Sequence, residues 1–359
     1  MPSRRALLAG MAAVLAPGFG WAAVGNPLAI SAAKTPSGGF VLVGIDGAGD
    51  ITFQIPLPAR GHAAAAHPTE AEVVAIARRP GTFAKVIDCV TGVVRQTLTA
   101  PAGRHFYGHG AFSADGTLLF TTENDIASGK GRIGVWDRGV GYTRIEELPS
   151  HGIGPHEIQR RPDGSLAIAN GGIRTHPDTG REKLNLGTMR PNLTILSKHG
   201  SLIDQAESNA SQNSLRHIAV QQNGTIACGF QWQGDPFEAP ALIALYRGDG
   251  QVVDATVDEG LHRSLDGYIG SVGIHGKSGF IASSPRGNRV ILVDSVGLVT
   301  HSHRATDVCG VAEGKDQASI VTDGTGIVYG CTFGDFRRLT RHGLAFDNHL
   351  VAVQSMASL

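Results

Sequence analysis

The chain has 359 residues, with 31 basic and 31 acidic side chains. That balance gives no footing for a nucleic-acid or polyanionic partner. Hydrophobic residues at 42% against 17% charged exclude global disorder, and 49 glycines suit an all-β chain that turns every few residues.

The first residues, MPSRRALLAGMAAVLAPGFGWAAVG, place Arg4-Arg5 before an apolar run from Ala6 to Val24 that Pro17 interrupts. This pattern predicts an export leader over 1–22, twin-arginine in type, with cleavage near Ala22. An ordinary secretory leader with two arginines is the alternative. No later stretch approaches the roughly 20 apolar residues of a membrane helix, so a soluble periplasmic protein without a membrane span is expected. A leader of this type carries folded proteins, which lets a cofactor load before export.

Residues 23–359 read as one domain. Three strand-like segments come first, from the mature start to Pro56: LAISAA, FVLVGID and ITFQIPL. Then a unit recurs. A special residue opens a short apolar strand at Gly61-His62, Gly108-His109, Pro155-His156, Arg216-His217, Gly270-Ser271, Val308-Cys309 and Asn348-His349. The clearest copies are GHGAFSADG, PHEIQRRPDG and RHIAVQQNG. A period in the forties, rich in short strands and Gly turns, is that of a β-propeller blade. The second unit shows the blade pattern: Ala111-Phe112-Ser113, the turn Ala114-Asp115-Gly116, a strand over Leu118–Thr122, a polar loop over Glu123–Gly131, and a strand over Arg132–Asp137. The prediction is an all-β, seven-bladed β-propeller. Its last blade joins the C-terminal HLVAVQ to the three N-terminal strands, because closure removes free sheet edges. A monomer is expected.

One insertion stands out, GGIRTHPDTGREKLNLGTMRP over 171–191, carrying Arg174, His176, Arg181, Lys183 and Arg190. It lies between the second and third strands of blade three. Long loops on rigid scaffolds tend to carry function, although a solvated cap over the axis is an equal reading. Cys89 and Cys228 sit in strand-like runs and read as packing residues, whereas Cys309 and Cys331 are open to pairing. No C-x-x-C and no haem-attachment motif occurs.

Equivalent positions in successive blades form a ring about one axis. Five of the seven marked residues are His and one is Cys, so the repeat predicts candidate metal ligands at one channel mouth: His62, His109, His156, His217, His349 and Cys309. His105 and His151 lie just upstream in the same links. Loops rimming that mouth would add Glu123, Asn170, Gln231 and Arg286, with Glu123, Asn170 and Arg286 as ligand-binding candidates. Imidazole suits iron, copper and zinc; iron or copper is expected, with zinc open. Glu157, beside His156, is placed to ligate or to orient a ring. The competing reading is a structural Gly-His pair of the WD-repeat kind. Those repeats carry Trp-Asp in nearly every blade, and this chain has it once, at Trp136-Asp137.

The segments FYGHGAFSADGTLLFTTEND, HGIGPHEIQRRPDG, LAIANGGIRTHPDTGREKLNLGTMRPNL, SPRGNRV, DVCGVA and DNHL resemble one family. It is a twin-arginine-exported periplasmic propeller family of unknown function, commonly encoded beside imelysin-type iron-uptake lipoproteins and a di-haem oxidoreductase. The resemblance runs from about Gly38 to the C-terminus. It implies a role in iron handling, with imelysin-type proteins as partners, and supplies no catalytic residues. Three functions compete: a metal-binding protein of iron uptake, a lactonase-like hydrolase or redox enzyme on a propeller, and a rigid docking scaffold with structural histidines.

Overall fold

The computed structural model describes residues 18–77 and 79–353. It is a seven-bladed propeller. Blades one to six are four-stranded antiparallel sheets, each ordered from the axis outward along the chain. Blade one runs Gly61–Ala66, Glu72–Ala77, Phe83–Asp88 and Val94–Thr99. Blades two to six start on Arg104–Phe112, Pro155–Arg160, Asn213–Val220, Ser271–His275 and Val308–Glu313. In blade two, the strand leading to the centre, Arg104–Phe112, pairs with Leu118–Asp125.

The closing blade combines both ends of the chain. Its outer strands are Ala29–Lys34, Phe40–Ile45 and Ile51–Leu57, and its inner edge is two short C-terminal pieces, Ala345–Phe346 and Val351–Ala352. Both pieces pair antiparallel with Ala29–Lys34. The Ser31 hydroxyl donates to the His349 carbonyl (2.9 Å), and Arg60 pairs with Asp347 at 2.6 Å.

Strand chemistry follows position in the blade. Middle strands such as Glu72–Ala77 and Leu166–Asn170 are buried along their whole length, since neighbouring blades cover both faces. Outermost strands such as Val94–Thr99 and Thr143–Pro149 are largely open to solvent and carry the charges. The innermost strand of blade one, Gly61–Ala66, is almost all Ala and Gly, which suits the crowding near the axis.

The apolar core is a ring rather than a single mass. Among the described residues it divides into seven clusters, each made by two adjacent blades. Seven blades in an open ring would have six such interfaces. The seventh is supplied by closure: Val41, Val43 and Phe346 meet Cys309, Ile320 and Val328.

Residues 1–17 of the expected leader lie outside the described residues. Residues from Gly18 onward lie against blade one. Trp21–Val24 forms a 3-10 turn whose Trp21 and Val24 are buried, and the Trp21 indole donates to the His67 carbonyl at 2.9 Å.

Several middle strands run further toward the face that holds the insertion than their residue types predict. Glu123 and Asn124 were expected in a polar loop but belong to Leu118–Asp125, which pairs on both sides. Asn170 ends Leu166–Asn170, and Gln231 lies in Ile226–Trp232. Pairing on two sides satisfies the backbone of these polar residues, which outweighs their turn preference.

The insertion 171–191 is a pinned cap with two 3-10 turns, Pro177–Thr179 and Leu186–Thr188. Asn185 holds its base, donating to the Gly172 carbonyl and accepting from the Arg174 amide. From blade three it crosses to blade two, where the Arg174 guanidinium donates to the Ala127 carbonyl. It then reaches blade one, where Arg79 donates to the Thr175 hydroxyl at 2.9 Å.

Candidate metal centre

Five of the inner strands carry a break in register at the marked position. The shifts fall between Gly61 and Ala63, Phe106 and Gly110, Pro155 and Glu157, Leu215 and His217, and Val308 and Val311. In the closing blade the break is the Asp347–Leu350 gap between two strand pieces. A bulge re-aims a side chain that regular pleating would direct into a blade interface. Blade five is regular through Ser271, and no histidine occupies its start.

The bulges bring five imidazoles together. Ring centroids lie 5.0 Å apart for His62–His109, 4.7 Å for His62–His349, 4.9 Å for His109–His156, 5.0 Å for His156–His217 and 5.1 Å for His217–His349. Ligating atoms of His62, His109 and His156 all lie within 4.8 Å of one another. A metal with bonds of 2.0–2.1 Å holds tetrahedral donors about 3.4 Å apart, so small ring rotations would complete such a site. Gly108 makes the approach possible: its φ is +103°, and a Cβ there would meet His62 Cδ2 at 2.4 Å.

Three of the five imidazoles, His109, His156 and His217, are held in the neutral form at pH 7. Burial, then the neighbouring His349 and His217, hold His109 well below the usual imidazole range. Burial, then His109, Arg216, His217 and His62, do the same to His156. Burial and the Arg216 cation lower His217 to about 3. Neutral imidazole is the form that ligates. The His109 Nε2 and His156 Nδ1 atoms are buried without a hydrogen-bond partner. Buried nitrogens normally find one, so two orphans belonging to a nitrogen-rich cluster fit a metal ion.

His217 is oriented from outside the cluster. Its Nδ1 lies 3.1 Å from Glu157 Oε2, which leaves Nε2 for a ligand. Glu157 is held by Gln159 Nε2 (2.9 Å) and the Ile218 amide (3.3 Å), and burial pushes its carboxyl up to about 7. Beside the cluster the channel holds a cavity of about 200 Å³, lined by His109, Glu157 and His349 with Gln159, Arg160 and Glu313.

The other candidate residues are placed elsewhere. Cys309 is in the repeat position, but its thiol is buried in the interface between blade six and the closing blade. It donates to the Thr322 carbonyl (3.4 Å), and burial raises its pKa to about 12. Glu123 is completely buried inside blade two, accepting from Arg144 (2.6 Å) and Thr121 (2.8 Å). Asn170 is equally buried and ties Ser150 to Asn192 and Thr194. Arg286 is exposed in the blade-five turn, 4.5 Å over the Tyr268 ring. Gln231 donates to the Ile269 carbonyl. Glu123, Asn170 and Gln231 were read as loop residues, and their strand context turns them into the sheet, whereas Arg286 stays in its turn. All four cysteines are buried and unpaired, so Cys309 and Cys331 form no disulfide. His105 holds the structural role weighed for the whole set, with Nδ1 3.0 Å from the Phe106 carbonyl and Nε2 3.1 Å from Asn124 Nδ2.

Tyr107, Arg79 and the Arg216 side chain escaped the sequence reading. Arg216 was marked as the first residue of its repeat, yet nothing in RHIAV tells which way its side chain turns.

These features define a closed seven-bladed propeller with a largely buried histidine cluster near its axis. The chain belongs to the DUF1513 family, described as a protein of unknown function, whose model matches residues 55–353. No curated protein matches it. Among solved structures it is similar to hydrazine synthase of Kuenenia stuttgartiensis, at 13% identity and a TM-score of 0.59, covering 88% of this chain and 95% of that one. It is also similar to a streptogramin B lyase, at 12% identity and a TM-score of 0.55, covering 79% and 84%. At such identities the likeness is one of fold.

Proposed function

We propose that this protein binds a divalent transition-metal ion at His62, His109, His156, His217 and His349, iron or copper ahead of zinc, as a periplasmic component of iron uptake. The observation that carries the reading is the pair of orphaned nitrogens, His109 Nε2 and His156 Nδ1, within the five-imidazole cluster. An all-nitrogen donor set selects borderline ions over calcium or magnesium. Glu157 orients His217 and so presents its second nitrogen. Export through the twin-arginine route and partnership with imelysin-type proteins belong to this proposal and rest on the family resemblance and the Arg4-Arg5 leader pattern.

Elemental analysis of protein purified from the periplasm of its own host tests it. About one iron or copper per chain is expected, as for a site whose ligands are preformed. Metal-free protein that also fails to take up Fe(II), Cu(II) or Zn(II) overturns the reading and moves the docking-scaffold function to first place.

A second reading is favoured by the cavity of about 200 Å³ against His109 and His349. It gives a small substrate room beside a metal, as a lactonase-like hydrolase or redox enzyme requires. Turnover of a lactone and ester panel by the metal-loaded protein would favour it.

A further inference from the structure

Beneath the 171–191 cap lies a second set of polar groups, separate from the imidazoles. Tyr107 and His109 belong to the same bulge, between Phe106 and Gly110. The Tyr107 side chain is 3% exposed, and its hydroxyl is buried without a hydrogen bond of normal geometry. It lies near the base of the cap: a Cβ on Gly154 would stand 3.5 Å from that hydroxyl and 3.1 Å from the Ile173 carbonyl. Arg216, 8% exposed, comes to the same place from blade four, its Cζ 3.4 Å from where a Cβ on Gly171 would be. Arg79 comes from blade one and donates to Thr175, itself buried in the cap. Both guanidinium charges act on Tyr107, and that of Arg216 also acts on His156 and His217. The two cations and the phenol thus converge from three blades on the cap side of the histidines.

Two buried or half-buried guanidinium groups and a buried hydroxyl, with no well-formed hydrogen bond to it, are what a planar or tetrahedral oxyanion requires. We propose that Arg79, Tyr107, Thr175 and Arg216 form a subsite for a small oxyanion, carboxylate or phosphate, adjoining the histidine cluster. An anion held there has one face toward His156 and His217 and serves as an outside ligand to the metal. That second part rests on the metal-binding reading above, whereas the subsite itself does not.

The test uses the full chain stripped of metal by chelation. Apo protein is titrated calorimetrically with oxalate, bicarbonate and phosphate in low-chloride buffer. At least one should bind, and the ranking identifies carboxylate or phosphate as the source. Arg79→Gln and Tyr107→Phe should each weaken that binding by roughly ten- to a hundred-fold, the loss of one charge-assisted or buried hydrogen bond. Their thermal unfolding should match wild type, which separates anion loss from misfolding. Metal titrations with and without the anion form the second arm: the anion should tighten metal binding in wild type and not in Arg79→Gln. Binding to apo protein without any metal uptake keeps the subsite and removes the metal reading. Absence of oxyanion binding to apo protein, or affinity unchanged in both variants, overturns the subsite even if metal binds.

Discussion

The two arcs of the ring start from the same repeat and end differently. In blades one to four and the closing blade, the first inner residues are bulged, and five imidazoles meet at the axis. In blades five and six the same positions hold Ser271 and Cys309. Ser271 sits in a regular strand, and Cys309 turns its thiol into an apolar interface. The difference teaches that repeat position nominates a ligand, while register and the neighbouring surface together decide where its side chain goes, since blade six breaks register at Cys309 as well. Chemically alike candidates such as His109 and His105, four residues apart, follow the same rule: one is orphaned in the cluster and the other is tied to Phe106 and Asn124.

Removing imidazoles from the histidine arc is the strongest way to break this contrast. His109→Ala with His156→Ala should abolish metal retention, read by elemental analysis, while far-UV circular dichroism stays that of a propeller. The fold should survive because its core is divided among seven blade interfaces. Metal content equal to wild type in that variant would remove both residues from the ligand set.

Acid should act on the same arc. His109, His156 and His217 have folded pKa values below the unfolded 6.5, so the unfolded chain binds more protons between the two values. The contribution of these three histidines is therefore full above about pH 6.5 and falls as pH drops toward about 3, the value held by His217, while Glu157, raised to about 7, opposes one of them between about pH 4.5 and 7. Each such histidine contributes about 1.4 kcal/mol per pH unit. Melting of the apo protein from pH 7 to pH 4 should show this slope, and the double alanine variant should flatten it. Cys309, raised to about 12, adds nothing in that window.

Gly108→Val tests the bulge itself. A Cβ there meets His62 at 2.4 Å on a backbone with φ +103°, so a loss of about 2–4 kcal/mol is expected. Denaturant melts should report it, together with weaker metal binding; a variant as stable as wild type would mean the inner strand can relax around the side chain. Glu157→Gln keeps the shape but changes the partner of His217, and should weaken metal binding by roughly ten- to a hundred-fold, measured by competition with a chromophoric chelator. The smallest effect belongs to the other arc. Cys309→Ala should leave metal content unchanged and cost about 1 kcal/mol of stability. A drop in metal content there would restore Cys309 to the ligand set.

The recurring marked residues, the Gly-rich turns and the strand deficit at each end determined the blade count and the closure. These are properties of a repeating unit, and a repeat is visible along a chain. They also nominated the five histidines, since equivalent positions in a ring must face one axis. What only the tertiary structure decided was direction. Glu123 and Asn170 are polar residues beside turns, and nothing local distinguishes a rim ligand from a residue buried by pairing on both sides. Cys309 shares the repeat position of its histidine counterparts but lies opposite Phe346 and Val328 once the ring closes. Tyr107, Arg79 and Arg216 come from three blades, and only the path of the 171–191 cap brings them under one cover. Periodicity is a local signal carried by residue type, whereas side-chain direction at a bulge depends on partners hundreds of residues away.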